Sequence, residues 1–233
     1  MTALHSLTPP YGFTNFDTAD FDPEQPWDNY RSLGAIINPL ALANGESTIK
    51  IALSALSTDA KPGIVKISSQ DASTSSSVDF TGLDATYDAY LLVITDVVPG
   101  TANANMYIRY GTGATPTWET TGYQYHVGSS RANSTTYASL ADIAQAQIRA
   151  TSTLGTTSGY GLSGHLFIHN PASAAEYKKT IGMLCYMDNT NNVLMQSFLT
   201  GLRASVTAIT AIRFYMSTGN IASGRFTLYG IKK

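Results

Sequence analysis

Cysteine is nearly absent from this chain. Cys185 stands alone, so no intrachain disulfide framework holds the fold. Its apolar neighbourhood predicts a small, buried hydrophobe. Charge is scarce too: 13% of the 233 residues are charged, about half the share common in globular chains. Helices normally fill their solvent face with Lys and Glu, so this scarcity argues for strands. No window approaches the roughly 18 apolar residues of a membrane helix. Residues Met1 to Phe13 lack the basic start and apolar stretch of a secretory signal. The expectation is a chain made in a cytoplasm that stays soluble. A net charge of −2 argues against nucleic acid or an anionic membrane as partner.

Motifs for chemistry are also missing. There is no P-loop, GxGxxG or CxxC, and Gly161-Leu162-Ser163-Gly164 fails the spacing of a nucleophile elbow. Asp79, Asp84 and Asp88 crowd the entrance to one strand, where they suit turns and caps better than the paired carboxylates of a glycosidase. His165, Phe167 and His169 alternate, so both imidazoles share a strand face, but no third metal ligand is identified. No catalytic residue, metal or cofactor is expected, and the chain reads as a binding or structural protein rather than an enzyme.

Neutral polar residues, Gly and 14 Tyr carry the sequence instead, with 43% hydrophobic residues to build a core. Residues 1–45 are broken by Pro9, Pro10, Pro23, Pro26 and Pro39, which forbids a regular element. Yet Tyr11, Phe13, Phe16, Phe21, Trp27 and Tyr30 are spread along this segment, unlike a disordered tail. It reads as an extended attachment arm whose aromatics are the candidate anchors. Residues 1–30 also carry a net charge of −5, against +6 for residues 178–233. An acidic arm docking on a basic surface is one reading, and two separately solvated surfaces the other.

Residues 46–76 read as short strands, Glu46–Leu56 and Ile64–Ser69, followed by a Ser/Thr-rich linker from Ser68 to Ser77. Residues 77–233 then show short strands between turn signals: Ala89–Val98, Ala104–Tyr110, Gly122–Val127, Leu162–Asn170, Tyr177–Met187, Asn192–Leu199, Ala208–Ser217 and Arg225–Ile231. Ile212, Phe214 and Met216 should face inward, with Arg213 and Tyr215 outward. Gly219-Asn220 and Ser223-Gly224 suit a hairpin. Ser139–Ile148 fits a short helix or an Ala-rich strand. The predicted fold is mostly β: an antiparallel sandwich, jelly-roll-like, behind an extended N-terminal arm. Trp118, Tyr123, Tyr125 and His126 gather around the polar stretch Gly111–Asn133 and form the candidate surface binding site.

Two segments carry a resemblance. Asp79-Phe80-Thr81-Gly82-Leu83 followed by Tyr87-Asp88-Ala89-Tyr90-Leu91-Leu92-Val93-Ile94, and the end from Phe214 to Gly230, resemble the opening strands and closing hairpin of β-sandwich domains in bacteriophage virion proteins. Leu166 to Pro171 ahead of Tyr177-Lys178 fits the same pattern. The resemblance implies a tail-fibre-like or head-decorating virion protein, often a homotrimer, and no site residues. The arm would bind other virion proteins of tail, baseplate or capsid, and the sandwich a host surface glycan or protein. A capsule depolymerase is the enzymatic rival. It would need clustered carboxylates and repeated coils, which this sequence lacks.

Overall fold

Apolar residues at every second position close against one another as strands, and the computed structural model describes residues 63–232. In chain order these are β1 (Ile64–Ser75), β2 (Val78–Thr81), β3 (Ala89–Pro99), β4 (Met106–Thr112), β5 (Thr117–Trp118), β6 (Tyr123–Arg131) and β7 (Ala138–Gln145). They continue as β8 (Ile148–Arg149), β9 (Leu162–His169), β10 (Lys178–Asp188), β11 (Val193–Arg203), β12 (Ala211–Met216) and β13 (Ile221–Ile231). No helix occurs among the described residues. The arm and the strand expected at Glu46–Leu56 lie outside them.

Eight strands form one sheet in the order β1-β13-β3-β9-β10-β11-β6-β7, and β2-β12-β4-β5 form the other, with β8 also paired to β4. Every pairing is antiparallel. The chain changes sheet at each step from β1 to β4 and again from β12 to β13. Strands β1-β13-β3-β9 therefore face β2-β12-β4-β8 in the nested order of a jelly roll. Strands β10, β11, β6 and β7 widen one sheet beyond its cover.

The core lies between the sheets. Ile212, Phe214 and Met216 of β12 are buried and Arg213 and Tyr215 are not, as the alternation requires. Phe214 meets Phe226 of the opposite sheet with ring centroids 5.3 Å apart. The same alternation buries Tyr90, Leu92 and Ile94 on β3 and Leu166 and Ile168 on β9.

Three local expectations are corrected. Ser68–Ser75 is not a linker but most of edge strand β1, paired with β13, and the Ser69 hydroxyl lies 2.8 Å from that of Thr227. Short hydroxyl side chains suit a half-exposed edge as well as a loop, so composition alone did not separate them. The chain divides between Lys61 and Pro62, rather than at the expected boundary after residue 76. The turn at Gly219-Asn220 is real, with Gly219 at φ 68°. It joins β12 to β13 in different sheets, so it is a corner and not a hairpin. A Cβ on Gly219 would fall 2.2 Å from Thr101 Oγ1. The open segment Ser139–Ile148 is extended: Leu140 packs on the core, Ile143 is 69% exposed, and the chain breaks at Ala144 (φ 57°) before β8. Its helical spacing comes from two strands meeting at that break.

Truncating Phe214 to Ala should cost about 3–5 kcal/mol, since the ring is fully buried between sheets. Urea unfolding measures this. A cost below about 1 kcal/mol would contradict the inter-sheet position.

Candidate functional site

The four residues proposed from sequence separate in space. Trp118 is on β5, on the outer face of the smaller sheet. Tyr123 and Tyr125 share one face of β6, but it is the inner one. Tyr123 is fully buried and Tyr125 packs against the core. His126 points from β6 to the opposite, outer face and is exposed. The four are thus not one surface cluster, and Tyr123 belongs to the core. Spacing of two residues showed that the tyrosines share a face; it carried no information on which face the other sheet would cover. The arm aromatics Tyr11, Phe13, Phe16, Phe21, Trp27 and Tyr30 lie outside the described residues.

Around Trp118 the smaller sheet presents arginines and aromatic rings. Alternation turns Tyr107 and Arg109 of β4 outward, with Asn105 just before the strand, beside Arg213 and Tyr215 of β12 and Arg149 of β8. Arg213 lies 4.1 Å over the Trp118 ring and grips both Asp79 oxygens through Nε (2.8 Å) and Nη2 (2.6 Å). Arg109 lies 5.0 Å over the Tyr215 ring, and Tyr107 meets Tyr215 edge to face at 5.6 Å. Arg109 donates to the Ala146 carbonyl (3.2 Å) and Gln147 Oε1 (2.9 Å). Arg149 donates to the Thr151 carbonyl (3.0 Å) and Asn105 Oδ1 (2.9 Å). Arg, Tyr and Trp are the side chains that dominate binding surfaces, because they bring area and donors at modest entropy cost.

The wider sheet shows the opposite chemistry on its outer face. One row runs Leu91, Phe167, Ile181 and Thr200 across β3, β9, β10 and β11; the next runs Val93, His165, Met183 and Phe198. Ile181, Met183, Leu194 and Phe198 are 49%, 39%, 51% and 48% exposed. Together they leave on the order of 400 Å² of apolar surface open, comparable to the largest patch on a typical monomer, which is often functional. His165, Phe167 and His169 do share this face, with Phe167 packed against both imidazoles. Cys185 is here as well, exposed and not buried as expected. The apolar run around it is apolar on both faces of β10, which hid the parity of the cysteine.

The positive charge of residues 178–233 is dispersed, not a surface. Lys178 and Arg203 are opposite each other on β10 and β11 and point inward. Lys178 Nζ donates to the Ser173 and Glu176 carbonyls, and Arg203 Nη2 to Glu119 Oε2 at 2.7 Å. Burial pushes the Lys178 ammonium below its usual range, against the pull of Glu176. Arg225 pairs with Asp71 across an exposed sheet edge and Arg213 with Asp79. Strand parity, which summed charge ignores, sent these side chains to different sides.

Burial pushes the Tyr123 phenol up to about 12, only partly offset by the hydrogen bond from the Tyr110 backbone. An unfolded chain releases that proton near 10, so the fold loses stability as pH rises from about 10 towards 12. Ultraviolet titration of Tyr123→Phe should therefore lose one tyrosine from the late-ionising step. Loss from the step near pH 10 would return Tyr123 to the surface. Compared with known proteins, the chain matches no family model, no curated protein and no solved structure.

Proposed function

We propose that this chain is a structural protein of a bacteriophage virion, a short tail fibre subunit. In this reading residues 1–45 attach it to other virion proteins, and the sandwich associates as a homotrimer that contacts the host surface. The observation that supports it most is the apolar outer face of the eight-stranded sheet. Outward positions on β9, β10 and β11 carry no carboxylate, and Lys179 is their one formally charged group. Further copies of the same face, converging on a three-fold axis, are the occupants that fit. Few long charged side chains have to be desolvated on that face, and the partly exposed Leu91, Val93 and Phe167 extend its apolar area. The number three follows from the resemblance to virion sandwich domains, while the geometry argues for association alone. Multivalency would let a flat face without a deep pocket hold a cell, raising apparent affinity by about 10²–10⁴.

Light scattering across a dilution series tests the association. About three times the 24.9 kDa chain mass is expected at micromolar concentration, and Phe198→Asp should weaken assembly by at least about tenfold. A single-chain mass at all concentrations would overturn it. Imaging of a labelled copy on the particle tests the role: a label at the tail supports the fibre, and a label on the head replaces it with a decoration protein or head fibre.

A further inference from the structure

We infer that the outer face of the smaller sheet is a binding site for carboxylated saccharides, with Arg109 and Arg149 holding the carboxylates. This rests on the reading of the chain as a host-contacting subunit and names the ligand class that such contact would use. Three arginines lie on the face and only one is neutralised. Arg213 spends its charge on Asp79, with two of its nitrogens on the two carboxylate oxygens. Arg109 and Arg149 are instead fixed by neutral oxygens: two backbone carbonyls and the side-chain amides of Gln147 and Asn105. Among the described residues neither forms an ion pair.

Each of these guanidiniums commits Nε and Nη2 and leaves Nη1 without a hydrogen-bond partner among the described residues. Those Nη1 atoms are not buried; the orphaned buried nitrogens of the domain are both on Arg203. So Nη1 opens to solvent beside the remaining Nη2 hydrogen, an end-on fork that matches a carboxylate. Because the other contacts lock each planar group, little rotamer freedom remains to be lost on binding. Arg149 stands opposite Tyr107, two positions along β4 from Arg109. The two are diagonal cross-strand neighbours, about 7–8 Å apart at their bases.

A sugar fits this surface better than an acidic peptide. The space between the arginines is floored by Tyr107 and rimmed by the amides of Asn105 and Gln147, neutral partners for hydroxyl groups. Peptide side chains would need apolar recesses, and an apolar recess lies on the other sheet, between Leu91, Val93, His165 and Phe167.

Biolayer interferometry on the full-length protein tests this with immobilised polygalacturonate, neutral dextran and poly-L-glutamate. Saturable binding to polygalacturonate and none to dextran is expected. Arg109→Gln and Arg149→Gln should each weaken binding at least about tenfold, the usual cost of a lost charged hydrogen bond. Arg149→Lys, which keeps the charge, should retain more binding than Arg149→Gln. Lys66→Gln, which removes the same charge from the wider sheet, should change nothing, and circular dichroism checks that every variant is folded. Absence of saturable binding, indifference to both Gln substitutions, or equal binding to dextran would overturn the site. Tighter binding to poly-L-glutamate would replace the saccharide with an acidic polypeptide. None of these outcomes alters mass or location on the particle, so the site can fail while the virion reading stands.

Discussion

Three buried tyrosines each end on a backbone N–H that a sandwich of unequal sheets would otherwise strand. The Tyr90 hydroxyl accepts from Asp84 (2.9 Å), Tyr123 from Tyr110 (2.8 Å) and Tyr186 from Ser152 (2.8 Å). The wider sheet outruns its cover, so its inner face beyond β9 is closed by a single short sheet edge and by irregular chain. Irregular chain carries unpaired polar groups, and burying one without a partner costs on the order of 1–3 kcal/mol. A phenol solves both problems: the ring fills the core, and its oxygen meets a backbone N–H, of irregular chain at Asp84 and Ser152 and of strand β4 at Tyr110. Tyr110 adds a contact through its hydroxyl to Thr180, tying β4 to β10. Tyr123, which looked like surface chemistry in the sequence, is part of this internal pinning.

That distinction marks what the sequence made legible. Period-two alternation located β3, β4, β6 and β9 to β13 and oriented β12 correctly, because Ile212, Phe214 and Met216 are unambiguous against Arg213 and Tyr215. It placed His165, Phe167 and His169 on one face for the same reason. Alternation fixes parity but not side, so Tyr123 and Cys185 were assigned to the wrong environments. Their sides depend on β6 and β10 pairing with β11 across the widened part of the sheet, a non-local fact. Of the four candidate residues, Trp118 and His126 lie on outer faces, but of different sheets. Arg109, Arg149 and Arg213 were missed because they are separated by up to a hundred residues and meet only through the pairings of β4 with β8 and β12. An Arg alternating with Tyr on a short strand was the available signal, present twice, in Tyr107–Arg109 and Arg213–Tyr215.

The domain thus offers two flat outer faces of unlike chemistry. One is apolar and nearly uncharged, suited to a copy of itself. The other is rich in guanidinium and aromatic groups, suited to a polar, anionic ligand. A chain with both can assemble on one side and bind on the other without either surface competing, which is the division of labour expected of a fibre subunit.

The claim on which this account turns is that the outer face of β9, β10 and β11 is covered in the assembled protein. Cys185 is a reporter built into that face, exposed in the single chain and flanked in register by Ser163 and Gln196. Its rate of reaction with a thiol reagent, followed across a dilution series, reads the cover directly. The account predicts slow labelling at micromolar concentration, rising at least about tenfold on dilution into the single-chain range. Fast labelling at the same rate at every concentration would contradict it.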